Sequence, residues 1–234
     1  MGRPLRLALG GYVYHVLNRG NVRQPMFEKD AEFEDFERIL AAALERVPGM
    51  RLLTYCVMPD HWHLVLWPRG DGELSKFVHW LSLTHTQRWH SHHKDAGTGH
   101  LYQGRYKSFP IQKDNHFLKL CRYVERNAPR AGLVKQAEKW RWCGLWRRHS
   151  ATPQPMLLSS WPVKEPADWL QDVNRPQAEA ELLAIRESVR RGRPYGFEAW
   201  SKHAARRLGL ESTLRPRGRP RQEPARKKVE EKGT

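Results

Sequence analysis

Two short apolar runs around a polar break form the most strongly patterned part of the chain. Both are rich in β-branched and aromatic residues, which predicts strands over Arg51–Met58 and Trp62–Trp67, with Pro59-Asp60 as a tight hairpin turn between them. Upstream, Tyr12–Leu17 has the same character and stops at Asn18-Arg-Gly20, a first strand. Asp30 is placed to cap a helix, with Glu32 and Glu34 in its first turn. Phe33, Phe36, Leu40, Ala43, Leu44 and Val47 then recur at helical spacing until Pro48-Gly49 stops them. A second helix runs from Glu73 to about His93 on a stripe of Leu74, Phe77, Val78, Leu81 and Trp89. Its histidines (His79, His85, His90, His92, His93) scatter around it and read as a solvated or DNA-facing edge. Tyr106–Ile111 predicts a fourth strand. Asp114 caps a third helix that reaches about Asn127, with Pro129 and Gly132 beyond it.

The resulting order, β-α-β-β-α-β-α, predicts an α+β, ferredoxin-like (RRM-like) sandwich. Its sheet has four antiparallel strands, the first and third of them central. Two helices cover one face, and the other face is left for a ligand or the third helix. Residues 1–149 form the expected catalytic domain, with Trp140, Trp142 and Trp146 packing against its body. Residues 150–196 read as a linker and helical extension, proline-rich at first and helical over about 177–191. Residues 197–234 read as a basic DNA-binding tail, helical over about 197–208 and disordered at its end.

Charge narrows the partner. The 234 residues carry a formal net charge of +16, unevenly spread. Residues 101–150 hold 12 Lys/Arg against 3 Asp/Glu, and residues 201–234 hold 11 against 4, whereas residues 1–50 are balanced. Local basicity interleaved with aromatics, including 10 Trp, fits nucleic acid better than a merely soluble surface. The three cysteines are far apart and form neither a disulfide framework nor a zinc-finger spacing. No apolar run has the length of a signal peptide or a membrane span, so the expected location is the cytoplasm, with no membrane partner.

His61 and His63 share one face of their predicted strand, and Trp62 takes the other. Two imidazoles on a rigid strand can act as two teeth of a metal clamp. Alternatively, one is a surface histidine and the other is satisfied by a local hydrogen bond. On the third helix Phe117, Leu120, Cys121, Val124 and Ala128 make the core stripe, while His116, Tyr123 and Asn127 gather near 260° from Phe117. Tyr123 and Asn127 are four residues apart and lie one above the other. They could present a nucleophile beside an amide ligand, or a tyrosine at the core edge and an asparagine closing the helix. Taken together, two histidines, an amide oxygen, phosphate oxygen and water make a site suited to Mg²⁺ or Mn²⁺. Lys113, Lys119, Arg122, Arg126 and Arg130 on and around the same helix would hold a DNA backbone.

Three stretches resemble the single-strand tyrosine transposases of the HUH endonuclease superfamily, and most closely their REP-associated branch. They are Tyr14-His-Val-Leu-Asn-Arg-Gly20, Met58-Pro-Asp-His-Trp-His-Leu64, and Arg122-Tyr-Val-Glu-Arg-Asn127 followed by Arg130-Ala-Gly-Leu-Val134. They occur in the family's order and span roughly residues 10–146. The resemblance implies that His61 and His63 are the metal-binding pair, Tyr123 the nucleophile and Asn127 the third ligand. It also implies nicking and rejoining of single-stranded DNA at REP-type palindromic hairpins through a 5′-phosphotyrosine, without a nucleotide cofactor. The family commonly has proline directly after the asparagine; here Ala128 intervenes before Pro129, which bears on where the helix ends and how Asn127 points.

A non-catalytic nucleic-acid-binding protein or repressor on the same fold is the alternative, although the aromatic signature of RNA-recognition domains is absent. Arg-Gly-Arg-Pro occurs twice, with Arg191 and Arg193 in one copy and Arg217 and Arg219 in the other. The motif resembles the core of AT-hook peptides and adds these four arginines as candidate DNA contacts. The sequence leaves the oligomeric state open, with a monomer favoured.

Overall fold

The structure, a computed structural model, describes residues 8–93, 99–150 and 157–215. In chain order its elements begin with β1 (Val13–Arg19), α1 (Asp30–Arg46), β2 (Met50–Met58), β3 (His61–Pro68), α2 (Glu73–His93) and β4 (Lys107–Ile111). There follow α3 (Asn115–Glu125), α4 (Asn127–Arg130), α5 (Gly144–His149), α6 (Trp169–Asn174), α7 (Glu179–Arg191) and α8 (Glu198–Leu208). The strands form one antiparallel sheet in the order β2-β3-β1-β4. The first and third strands are central, as the split β-α-β plan requires.

Alternation along the strands loads both faces with apolar side chains. One face sends Tyr14, Val16, Trp62, Leu64 and Leu66 against Phe36, Ile39 and Leu40 of α1 and Phe77, Val78 and Leu81 of α2. The opposite face sends Val13, Cys56, Val65, Phe109 and Ile111 against Phe117, Leu120, Cys121 and Val124 of α3. Alternation breaks once. The register of β2 against β3 shifts between Leu52 and Thr54, so Leu53 packs in the core on the α3 side and Thr54 donates to Glu125 of α3 at 2.6 Å. This bulge re-aims one side chain without ending the strand.

The segment after residue 156 adds to the α3 side. Trp169, Val173, Ile185 and Tyr195 are buried there with the α3 residues. Tyr195 makes a parallel bridge to Ile111, donating its amide to the Pro110 carbonyl at 2.9 Å and accepting the Gln112 amide at 3.0 Å. At the other side of the sheet the Ser159 amide donates to the Leu52 carbonyl at 2.8 Å. Among the described residues no helix is long and apolar enough to cross a membrane.

His85 corrects the reading of the α2 histidines as a solvated edge. It is buried between Phe27 and Phe36. The Tyr102 hydroxyl accepts from Trp62 Nε1 at 3.0 Å and shares a 2.6 Å hydrogen bond with His85 Nδ1. Burial pulls the His85 pKa down to about 3. The sign follows from linkage. The unfolded chain binds this proton near pH 6.5 and the folded one does not, so the stability is complete above about 6.5 and lost as pH falls towards 3. Going from pH 7 to pH 5, His85 is expected to cost about 2 kcal/mol, at about 1.4 kcal/mol per pH unit. Urea midpoints of the parent and of His85→Phe at the two pH values measure it. An unchanged pH dependence in the variant would place the titration elsewhere.

Candidate active site

β3 leaves a two-residue turn and at once projects His61 and His63 to the α3 side, with Trp62 buried on the other. The two imidazoles stand edge to face with centroids 5.0 Å apart. Each has its Nδ1 engaged. His61 Nδ1 donates to the carboxylate of Asp60 in the hairpin turn, and His63 Nδ1 shares a 2.7 Å hydrogen bond with His15 Nε2. A neutral imidazole with its proton on Nδ1 keeps an unprotonated lone pair on Nε2. Partners of this kind fix the tautomer and orientation of a metal-ligating histidine.

The electrostatics favour that state. Burial holds His63 well below its ordinary pKa, and the neighbouring His15, His61, Arg130 and Arg19 push the same way. Burial also brings His15 to about 3, so both rings are neutral at physiological pH. The hydrogen bond from His61, and after it the Arg19 charge, hold the Asp60 carboxyl below the usual range despite partial burial.

α3 brings Tyr123 to this pair. Its ring stands edge to face with His63 at 6.0 Å between centroids. On another side the Arg130 guanidinium lies 4.2 Å from the Tyr123 ring centroid. Arg130 also donates to the Asn127 side-chain oxygen and, at 3.4 Å, to the Tyr123 carbonyl. Arg130, expected to hold DNA backbone, thus packs on the tyrosine. The Asn127 amide nitrogen donates to the carbonyls of Val124 at 3.0 Å and Tyr123 at 3.2 Å. The structure gives Asn127 the helix-closing part, with its oxygen turned to Arg130. α3 ends at Glu125, and Asn127 opens the separate turn α4, which includes Ala128 and Pro129.

The donor set suits a divalent ion in an open clamp. Two Nε2 atoms are free of other duties, and the Asn127 oxygen has a second lone pair. Among the described residues no three of His, Cys, Asp and Glu converge on one point.

Several expected DNA contacts have protein partners in the structure. Arg122 donates to the carbonyls of Arg175 at 2.9 Å and Pro176 at 3.3 Å, and Arg126 to that of Asn174 at 3.4 Å. These arginines fasten the α6–α7 connection onto α3. Lys113 donates to the Gly11 carbonyl at 3.2 Å and lies over the Trp67 ring. Lys119 and Arg193 line a cavity of about 550 Å³ between α3 and α7. The first Arg-Gly-Arg-Pro is not an extended arm. Gly192 closes α7 in the left-handed conformation at φ 72°, and Arg191 binds Glu187 and the carbonyls of Ser212 and Arg215. The second copy, with Arg217 and Arg219, lies outside the described residues.

His15 and Asp60 are members of the site that sequence reasoning passed over. His15 lies two residues from Leu17, which pairs with His63, so its strand parity was available. The register that makes parity useful was not.

A family model described as transposase, IS200-like, matches residues 9–127. Among solved structures, a REP-associated tyrosine transposase bound to a REP hairpin aligns with 18% identity and a TM-score of 0.53, covering 70% of this chain and 94% of the other. A proposed transposase from Deinococcus radiodurans R1 aligns with 22% identity and a TM-score of 0.38, covering 53% and 95%. No curated protein matches.

Proposed function

Because the chain belongs to the family of IS200-like transposases, we propose that it nicks and rejoins single-stranded DNA at Tyr123. The observation that carries this reading is the tyrosine ring 6.0 Å from an imidazole whose Nδ1 is already occupied and whose Nε2 is spare. The phenolic oxygen attacks the scissile phosphorus. The new O–P bond forms as the P–O3′ bond breaks, the phenolic proton departs, and the leaving oxygen is protonated to a 3′-OH. The product is a 5′-phosphotyrosine. A second 3′-OH reverses the exchange and joins strands, so the bond energy is retained and no nucleotide cofactor is required.

His61 and His63 would hold a divalent ion, Mg²⁺ or Mn²⁺, through Nε2, with Asn127 as the candidate third donor. When bound, such an ion withdraws charge from the phosphate and stabilises the crowded transition state. Asp60 and His15 keep the two rings aimed, and Arg130 keeps the phenol ring in place. A folded palindrome is the substrate that the hairpin-bound structural neighbour suggests.

The test is covalent capture. Labelled hairpin DNA with single-stranded flanks is expected to become attached to the protein under denaturing conditions. Excess chelator should abolish the adduct, and Mg²⁺ or Mn²⁺ should restore it; undiminished capture in chelator removes the metal from the scheme. Asp60→Ala is expected to weaken divalent-ion affinity by roughly 10–100-fold, read from the ion concentration at which the adduct is half-maximal. Raising the ion concentration should recover the adduct, and a deficit that extra ion does not reverse would assign Asp60 to folding.

A further inference from the structure

A cavity of about 350 Å³ opens at the end of the sheet where the histidine pair lies, lined by Leu17, Asn18, Arg19, Gln103, Gly104, Arg105 and Lys107. No carboxylate lines it. Strand register ties it to the site: Leu17 pairs with His63 on one side and with Lys107 on the other, and Arg19 pairs with His61. Directly paired residues share a face, so Arg19 and Lys107 stand on the same side of the sheet as the histidines. Lys107 is two strands from His63, about 10 Å at the usual strand spacing.

The cations here differ from those along α3. Among the described residues neither Arg105 nor Lys107 has a carboxylate partner, and both are exposed. Among the described residues Arg19 reaches one carboxylate, Asp60, with Nε 3.8 Å from it, and that Nε has no hydrogen-bond partner. Asp60 is itself committed to His61. Arg105 and Lys107 thus stand without a carboxylate, and Arg19 shares Asp60 with His61, beside Asn18 and Gln103 in a cavity on the histidines' side of the sheet.

We propose that this cavity seats the sugar–phosphate backbone of the single strand flanking the scissile phosphate, with Arg105 and Lys107 on successive phosphates. The inference rests on the strand-cleavage reading for its direction. Its evidence is a separate surface, formed by β1, the loop before β4 and the start of β4. A polymer rather than a free anion is the occupant, because the cations come from β1, β4 and the loop before it, on the same face of the sheet as the histidines and in register with them.

Binding in a Tyr123→Phe background, which cannot be consumed by cleavage, tests it. Two DNAs are compared: a hairpin with single-stranded flanks and the same hairpin trimmed to its stem. For Arg105→Gln/Lys107→Gln the slope of log K against log salt should fall by about 1.4 on the flanked DNA, at about 0.7 per phosphate contact on a single strand. It should not change on the trimmed hairpin. Arg105→Gln alone, on an exposed loop, should give half that drop and guards against a folding defect in the pair. An unchanged slope on flanked DNA, or equal drops on both DNAs, overturns the proposal. Covalent capture by the parent protein reports separately on the cleavage reading. Capture with unchanged slopes sinks only the strand path, and altered slopes without capture sink only the chemistry.

Discussion

Tyr123→Phe abolishes the covalent DNA adduct and leaves hairpin binding intact. This is the largest effect expected of any single substitution. The change removes one oxygen and keeps the ring, so the stack under Arg130 and the edge contact with His63 survive. Both contacts are made by the ring rather than the hydroxyl, so stability should stay within about 0.5 kcal/mol of the parent. Denaturing gels with labelled flanked hairpin, alongside binding at equilibrium, read the two properties apart. Persistent adduct in the variant would move the nucleophile. Tyr102 is a poor substitute, because it lies on the far side of the sheet with its hydroxyl held between Trp62 and His85, and burial pushes its pKa up.

Arg148→Ala is expected to destabilise the fold by about 3–5 kcal/mol, the usual cost of leaving a buried charge without its partner. That charge is Glu125, fully buried two residues after Tyr123. Its carboxylate accepts from Thr54 at 2.6 Å, from Trp169 Nε1 at 2.8 Å and from Arg148. One side chain thus ties α3 to the sheet, to α5 and to the α6 region at once. Urea unfolding of Arg148→Met, Glu125→Gln and the double variant Glu125→Gln/Arg148→Met closes a mutant cycle, with Arg148→Ala measured beside it. The double variant should recover most of the loss, since it removes both charges and keeps an amide for Thr54 and Trp169. A loss below about 1 kcal/mol in Arg148→Ala would show that water reaches Glu125 and screens it.

Much of this architecture is legible in the sequence because strand and helix periods differ so plainly. The alternation through His61-Trp62-His63 places both histidines towards α3, and the 3.6-residue stripe of Phe117, Cys121 and Val124 turns Tyr123 towards them. What escaped depends on contacts between distant segments. The bulge at Leu53–Thr54 is set by pairing with β3, not by local residue preference. His85 looks like its neighbours on α2, yet Phe27 and Tyr102 arrive from elsewhere to bury it. Arg122 and Arg126 have the charge of phosphate contacts, and nothing local shows that carbonyls of residues 174–176 will cover them. Asp60 is an ordinary turn residue until its carboxylate meets His61.

The pairing of Tyr195 with the backbone beside Ile111 has a consequence for neighbouring molecules. β4 ends the sheet on one side and β2 on the other, and an open strand edge is a template on which a second copy can add. Tyr195 occupies backbone groups at the β4 rim, while the Ser159 amide on Leu52, the Val57 amide on the Trp142 carbonyl and the Cys56–Cys143 bridge occupy those of β2. None of these guards belongs to a strand of the sheet, and two of them come from beyond residue 150. The segment beyond residue 156 therefore has a structural duty: it covers edge groups on which a second molecule's sheet could otherwise extend.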